Sequence, residues 1–276
     1  MYEHILVPTD GSDAAATAAQ TGFALARRFD ATLHAVHVVE ETTDAAYGED
    51  VVAAIEAAAD EVDVETTSAV LTSDGDVPET LIEYAATGDI DCIVMGAHGQ
   101  QSVRERLLGS VASRTLRVAP VPVITVHEET AVTDEIDQLL VPTDGSEAAS
   151  AAVDHALDFA TATGASLHTI HVVEDSDSGD EETVLDALEV AGKRAVENVI
   201  DRAQRAGIAS VESAVVSDVP DRAIEAYVQE KDIDYVVMGT HGRTGVSEQL
   251  LGSTTERVVR LLDVPVVSVR PTESDD

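Results

Sequence analysis

The stretch that decides the fold lies at residues 236–260 and reads V-V-M-G-T-H-G-R-T-G-V-S-E-Q-L-L-G-S-T-T-E-R-V-V-R. An apolar run ends at Met238, a loop bracketed by Gly239 and Gly252 follows, and a predicted helix begins at Ser253. Glycines let the backbone approach a ligand closely, and a helix N-terminus offers N–H groups and a positive dipole end. The stretch therefore favours a phosphate-binding loop. Ser253 either caps the helix or turns its hydroxyl toward a phosphate oxygen.

The same pattern occurs earlier in the chain, at residues 93–117, which read I-V-M-G-A-H-G-Q-Q-S-V-R-E-R-L-L-G-S-V-A-S-R-T-L-R. Both copies have the spacing Gly, two residues, Gly, nine residues, Gly-Ser. The segment L-V-P-T-D precedes each copy, at residues 6–10 and 140–144. An internal repeat of this length indicates two consecutive domains, which we expect over residues 1–130 and 136–271.

The alternation of apolar runs with helical segments of 10–20 residues predicts a parallel sheet with helices on both faces. We expect two doubly wound, five-stranded α/β domains of the Rossmann-like type. A ligand in such a domain binds outside the carboxyl ends of the strands, where the strand order reverses. The second predicted helix is a short one in the first domain, around residues 51–59, and a long one in the second, around residues 183–206.

The repeated spacing and the L-V-P-T-D segments resemble the nucleotide-binding signature of the universal stress protein family. The resemblance covers nearly the whole chain and implies an adenine-nucleotide site in each domain, for ATP together with Mg²⁺. In the first domain it implies contacts from Pro8, Thr9, Asp10, Val38, Met95, Gly96, His98, Gly99, Gly109, Ser110 and Val111. In the second domain it implies contacts from Pro142, Thr143, Asp144, Val172, Met238, Gly239, His241, Gly242, Arg243, Gly252, Ser253 and Thr254.

Two carboxylates, Asp10 and Asp144, follow the first strand of each domain. The resemblance implies that each carboxylate contacts the adenosine part of ATP. A carboxylate is a natural acceptor of hydrogen bonds from ribose hydroxyls or an adenine amine. The alternative is that each aspartate is the N-cap of the helix that follows. The two roles can coexist.

The two loops differ in charge, because Arg243 follows Gly242 while Gln100 follows Gly99. Arg243 is placed to lie along the phosphates, and in the first loop Arg104 and Arg106 either compensate or are solvated. We therefore expect ATP to be held more tightly in the second domain.

The histidines between the glycines, His98 and His241, invite a catalytic reading, but no carboxylate partner or nucleophile recurs beside them. We interpret them as hydrogen-bonding anchors of the loop. The chain also has no G-x-x-x-x-G-K-[ST], G-x-G-x-x-G or G-x-S-x-G motif, so it offers no signature of a P-loop NTPase, a dinucleotide enzyme or a serine hydrolase. We expect a protein that is not an enzyme. The rival hypotheses are a slow ATP hydrolase or nucleotidyl-transfer enzyme, and a scaffold that binds no nucleotide.

Acidic residues dominate both halves of the chain. Residues 1–133 hold 23 Asp and Glu against 6 Arg, and residues 134–276 hold 30 against 10 Lys and Arg, so net charges of −17 and −20 give the total of −37. A uniformly anionic folded surface is typical of a high-salt, halophilic cytoplasm, where counter-ions screen self-repulsion. The same charge disfavours binding to nucleic acid and to anionic membranes.

The remaining expectations concern location and assembly. The chain shows no signal peptide and no apolar run of the ~20 residues that a membrane helix needs, so we expect a cytoplasmic protein. Cys92 is predicted to be a small buried apolar residue of a core strand. The last strands, at residues 121–126 and 266–269, are expected to pair the two domains as an internal pseudo-dimer, because an apolar edge strand invites pairing. A homodimer is also open.

Overall fold

The computed structural model describes residues 1–39, 45–99, 107–174, 181–241 and 250–271, and for residues 181–186 it describes the backbone alone. The chain separates into two compact units, residues 1–134 and 135–276, which we call the first and the second domain. Each is described by itself.

The first domain is a parallel α/β unit. Its described strands are β1 (His4–Pro8), β2 (Thr32–Val39), β3 (Thr66–Thr72), β4 (Cys92–Gly96) and β5 (Val123–Val126). Its described helices are α1 (Asp13–Phe29), α2 (Ala45–Asp60), α3 (Val77–Thr87) and α4 (Ser110–Val118). The strand order is β3-β2-β1-β4-β5, so the chain starts at the centre, winds outward to β3, and then crosses to the other side of β1.

The second domain repeats this architecture. Its described strands are β6 (Gln138–Pro142), β7 (Ser166–Val173), β8 (Val211–Ser217), β9 (Tyr235–Gly239) and β10 (Val266–Val269). Its described helices are α5 (Glu147–Thr163), α6 (Glu181–Arg205), α7 (Pro220–Glu230) and α8 (Ser253–Leu261). The order β10-β9-β6-β7-β8 is that of the first domain, and all pairs given for it are parallel. The α/β, doubly wound fold class predicted from the repeat is confirmed.

The central strands are apolar at consecutive positions because both faces of the sheet are covered. In β1 the side chains of Ile5, Leu6 and Val7 alternate between the two faces, and all three are fully buried. In the first domain α1 packs on β1 and β4, and α2 packs on β2 and β3, while α3 and α4 pack against each other. Leu139, Leu140 and Val141 repeat the pattern in β6.

The second helix is longer than predicted in the first domain and lies within two residues of its predicted bounds in the second. In the first domain it begins at Ala45, six residues before the predicted start, so the short helix expected around residues 51–59 is wrong. The Ala-rich, weakly patterned start of α2 gave no sequence signal for its first turns. With 16 residues in α2 and 25 in α6, the two helices still differ by the nine residues that separate the two copies of the repeat.

Cys92 lies at the start of β4 with its side chain fully buried. Burial, and secondarily the Asp91 carboxylate, raises the pKa of its thiol well above the usual value, so the thiol stays protonated. The prediction of a buried apolar residue is confirmed. Of the helices in the described part of the chain, none is both long and apolar enough to cross a membrane.

Candidate functional site

The site predicted for the first domain lies where the strand order reverses. β1 has β2 on one side and β4 on the other. From β2 the chain continues outward to β3, and from β4 it continues outward to β5, so the segments that follow these two strands lead away from each other. A cleft of about 690 Å³ opens at these strand ends. The residues that line it include every one predicted for the first domain: Pro8, Thr9, Asp10, Val38, Met95, Gly96, His98, Gly99, Gly109, Ser110 and Val111.

The turn after β1 holds Asp10 in a defined position. The Asp10 carboxylate accepts a hydrogen bond from the backbone N–H of Ser12 at 3.0 Å, and the Thr9 hydroxyl accepts one from Gly11 N–H at 3.2 Å. Gly11 has a φ of 77°, which a residue with a side chain rarely adopts. The N-cap of α1 is Ser12, whose hydroxyl accepts from the N–H of Ala15 at 3.2 Å. The alternative role of Asp10 as N-cap is therefore wrong.

The second domain repeats this turn. Asp144 accepts from Ser146 N–H at 2.9 Å, Thr143 accepts from Gly145 N–H at 3.2 Å, and Gly145 has the same φ of 77°. Ser146 is the N-cap of α5, so Asp144 is not. The sequence D-G-S offers two N-cap candidates that are two residues apart, and in both domains the serine accepts the cap hydrogen bond.

In each domain a buried histidine on the second strand contacts the turn that follows the first strand. Nδ1 of His37 lies 2.7 Å from the backbone oxygen of Thr9, and Nδ1 of His171 lies 2.7 Å from that of Thr143. A carbonyl oxygen only accepts, so Nδ1 of each ring carries the proton. No role was predicted for these histidines from the sequence. The sequence feature that could have indicated one is their matched position, one residue before Val38 and Val172.

The glycines of the motif do different jobs. A Cβ on Gly96 would lie 3.0 Å from the Cβ of Ala14, and a Cβ on Gly239 would lie 2.6 Å from the backbone oxygen of Ala148. These first glycines let α1 and α5 approach the sheet, and their contact with phosphates stays a prediction.

The later glycines face the cleft. A Cβ on Gly99 would meet a carboxylate oxygen of Asp10 at 2.3 Å, which brings the loop and the strand-1 carboxylate together. A Cβ on Gly109 would lie 3.3 Å from the Cα of His98, and the Gly109 N–H donates to the oxygen of Ala97 at 2.8 Å. The closeness of Gly99 to Asp10 is what the repeated motif predicts for one shared site.

The helix after each loop starts one residue earlier than the capping alternative required. Gly109 and Gly252 are the N-cap residues of α4 and α8, and neither supplies a side-chain hydrogen bond. Ser110 and Ser253 are the first helical residues, so the alternative that Ser253 caps α8 is wrong. The start of α4 borders the cleft through Gly109, Ser110 and Val111, which puts a helix N-terminus at one end of it.

The loop histidines are close to other polar side chains. Nδ1 of His241 lies 2.9 Å from the hydroxyl of Thr240, and the ring of His98 lies 5.7 Å from that of His127, measured between centroids. His98 lines the cleft. The His241 contact has the length of a hydrogen bond, whereas the contact between His98 and His127 is one between rings, so the anchoring role of His98 stays a prediction.

The residues predicted for the second domain occupy the matching strand and helix ends. Pro142 ends β6, Met238 and Gly239 end β9, Val172 lies near the end of β7, and the segment 252–254 begins α8. Gly242 and Arg243 lie outside the described residues, as do Gln100, Arg104 and Arg106 of the first loop. The difference in loop charge therefore stays a prediction.

Sequence reasoning missed the apolar wall of the first cleft. Val36 and Val39 of β2, Tyr47 of α2, and Val77 and Leu81 of α3 line it beside the predicted residues. They belong to elements that the motif does not include, and only the fold brings them together.

The second domain has a different cavity near its strand-1 turn. It measures about 440 Å³ and lies between the start of α5 and α6, lined by Asp144, Ser146, Arg194 and Arg202 among others. Arg202 donates to the Ser150 hydroxyl at 3.1 Å and pairs with Asp154. Across the described ranges, no three His, Cys, Asp or Glu side chains converge as a metal site.

The arrangement defines a class: tandem doubly wound α/β domains, the first with an open cleft at the carboxyl ends of its strands. The model of the universal stress protein family matches residues 1–127 and 135–270. The chain belongs to the universal stress protein family, with two such domains in tandem.

Similar proteins come from archaea and bacteria. A universal stress protein of Methanocaldococcus jannaschii, MJ0531, is 32% identical over 48% of this chain and 81% of its own length. One from Mycolicibacterium smegmatis is 31% identical over 71% of this chain and 66% of its own length. The matches therefore span about two thirds of such mycobacterial relatives.

A crystal structure of a universal stress protein from Archaeoglobus fulgidus has 25% identity and a TM-score of 0.72, covering 98% of this chain and 97% of that one. The family also includes a universal stress protein whose crystal structure is a complex with cAMP; it is 28% identical over 49% of this chain and 97% of its own, with a TM-score of 0.40.

Proposed function

We propose that each domain binds ATP, and that the chain is a nucleotide-responsive regulatory or protective protein of the stress response. One observation carries the proposal: the eleven residues predicted for the first domain, taken from four separated parts of the chain, line a single cleft.

The cleft matches the two chemical parts of a nucleotide. Apolar side chains, among them Pro8, Val36 and Leu81, supply a surface for a flat base. Gly99, Gly109 and the start of α4 supply close backbone approach and a helix N-terminus for phosphates. Asp10 lies between these parts, against Gly99, where it would accept hydrogen bonds from the ribose hydroxyls.

Mg²⁺ fits this site as a companion of the nucleotide. Magnesium is bound through one or two carboxylates together with substrate phosphates and water, and it rarely needs an all-protein cage. Asp10 is the cleft's carboxylate among the lining residues that the structure describes. Magnesium bound with ATP would neutralise phosphate charge, which matters in a chain with a net charge of −37.

We propose a binding role in a high-salt cytoplasm and no efficient phosphoryl transfer. A catalytic role would need a base or nucleophile beside the phosphates. Among the described residues that line the cleft, His98 in the glycine-rich loop is the candidate for such a base. The His98 ring lies 5.7 Å from the His127 ring, measured between centroids, and we propose that His98 anchors the loop. The pairing of the two domains through their last strands stays a prediction, which small-angle scattering of the whole chain tests.

The decisive experiment has two steps. Mass spectrometry of nucleotide released from freshly purified, denatured protein identifies the natural ligand, and calorimetry then measures ATP affinity with and without Mg²⁺. Asp10→Asn keeps the acceptor for the Ser12 N–H but removes the charge, and we expect it to weaken ATP at the first site about tenfold, since hydrogen bonds to charged groups contribute about 1.5–3 kcal/mol.

The matched control is Glu61→Gln, which removes one exposed carboxylate just past the end of α2. We expect it to leave ATP affinity unchanged. Wild-type protein that neither carries nor binds an adenine nucleotide would overturn the proposed function and favour the nucleotide-free scaffold.

A further inference from the structure

Tyr47 occupies a position in the first cleft that the family motif does not include. It is the third residue of α2, and it lines the cleft with 47% of its surface exposed. Its hydroxyl donates to the backbone oxygen of Asp10 at 3.1 Å. Its ring stands edge-on to His37, with centroids 5.7 Å apart and an interplanar angle of 78°.

These contacts fix the ring at both ends. The hydroxyl holds it to the strand-1 turn, and the His37 ring supports it at the second strand, one residue before Val38. A side chain held in this way loses little conformational freedom when a ligand binds against it. An exposed aromatic ring beside an apolar cleft wall is a suitable surface for a nucleobase, whose flat face stacks on aromatic side chains.

The second domain has no aromatic side chain at the matching position. The match is set by glycines that pack on the buried histidines: a Cβ on Gly48 would lie 2.7 Å from Cδ2 of His37, and a Cβ on Gly192 would lie 2.5 Å from Cδ2 of His171. The residue before Gly48 is Tyr47, and the residue before Gly192 is Ala191. The two domains thus share the histidine and the glycine but differ at this wall.

We propose that Tyr47 contacts the base of the bound nucleotide and gives the first domain a selectivity for purine over pyrimidine nucleotides that the second domain lacks. This inference rests on the proposed nucleotide binding. A purine offers the larger stacking surface, so the ring favours ATP over UTP, whereas phosphate contacts at Gly99 and Ser110 do not distinguish the two.

The test is equilibrium dialysis of the full chain with radiolabelled ATP and, separately, UTP. The Gly242→Val background is used to restrict binding to the first site, which a stoichiometry of one nucleotide per chain verifies. Tyr47→Ala should weaken ATP about tenfold, in line with the loss of one base–aromatic contact, and UTP clearly less. Tyr47→Phe retains the ring, so it should keep the ATP-to-UTP ratio of the parent protein.

The reciprocal variant, Ala191→Tyr, is measured in a Gly99→Val background that leaves the second site. It should raise the ATP-to-UTP ratio there. Equal weakening of ATP and UTP by Tyr47→Ala, or no weakening of either, would overturn the inference while ATP still binds to the parent. Failure of the parent to bind any nucleotide is a separate outcome, which overturns the proposed function as well.

Discussion

The two domains keep the same turn, the same buried histidine and the same helix start, yet they differ in the elements that surround them. Asp10 and Asp144 make matching hydrogen bonds, at 3.0 and 2.9 Å, and His37 and His171 make identical ones, at 2.7 Å. Tyr47 of the first domain corresponds in position to Ala191 of the second, and α6 exceeds α2 by nine residues.

The shared contacts lie around the end of the first strand of each domain, beside the residues predicted to bind the nucleotide. The domains differ at Tyr47 and Ala191, which lie on the second helix. We therefore propose that the strand ends carry what the two domains have in common and that the second helix carries the selectivity between them.

The largest expected effect separates the two sites. Gly99→Val should abolish ATP binding in the first domain, with a loss above one hundredfold, because the added side chain would collide with the Asp10 carboxylate, 2.3 Å from its Cβ. Gly242→Val should do the same in the second. Calorimetry should show one remaining site in each variant and none in the double variant.

A chain that carries Gly99→Val and still binds two ATP molecules would contradict the placement of the loop in the site. Circular dichroism provides the control for folding in these variants.

Stability should distinguish the first glycines of the two loops. In Gly239→Ala the added methyl would lie 2.6 Å from a backbone oxygen of α5, whereas in Gly96→Ala its nearest neighbours, the Cβ and backbone carbon of Ala14 and the backbone oxygen of His98, lie at 3.0 to 3.1 Å. We expect Gly239→Ala to lower the free energy of unfolding of its domain by about 3 kcal/mol and Gly96→Ala by about 1 kcal/mol. Hydrogen exchange followed by mass spectrometry measures each domain separately. Equal effects would show that α5 shifts easily.

Sequence reasoning reached most of the first site because its contacts are written in a motif that occurs twice. It could not find Tyr47, because this residue lies on α2, which the repeated motif does not include, and only the fold brings that helix to the cleft. It left the caps at Asp10 and Ser253 open, since an aspartate, a serine or a glycine near a helix start satisfies the same pattern at positions one or two residues apart. It also could not show that Gly96 lets α1 approach the sheet, because a missing Cβ fits a ligand and a neighbouring helix equally well.

Acidification should destabilise the second domain more than the first. Burial lowers the pKa of His155 on α5 from 6.5 to about 4, while the matching residue on α1 is Thr21, which does not titrate in this range. The folded state thus binds fewer protons than the unfolded state below pH 6.5. The stability contributed by neutral His155 is complete above pH 6.5 and is lost as the pH falls toward about 4.

Between pH 7.5 and 5.5 we expect His155 to account for about 1.5 kcal/mol of lost stability. Urea unfolding of the wild type and of His155→Thr at both pH values measures it, with hydrogen exchange to assign the domain. The variant should lose less stability than the wild type on acidification. An identical loss in both proteins would show that His155 does not contribute to the acid response.

The smallest effect concerns the two loop charges. We expect Arg243→Gln to weaken ATP several-fold at the second site and Gln100→Arg to strengthen it several-fold at the first, because a charge-assisted hydrogen bond to a phosphate is partly screened by solvent and salt. Each variant is measured with the other site closed by a glycine-to-valine change. If neither swap alters the affinity, Arg243 does not contact the phosphates.

The single cysteine provides a chemical probe for local opening of the first domain. Cys92 is fully buried in β4 with a protonated thiol, while the second domain has Tyr235 at the matching position. A thiol-specific alkylating reagent can therefore modify the chain only when the first domain's sheet separates from its helices. The rate of that modification, with and without ATP, therefore measures the opening rate of the first domain alone.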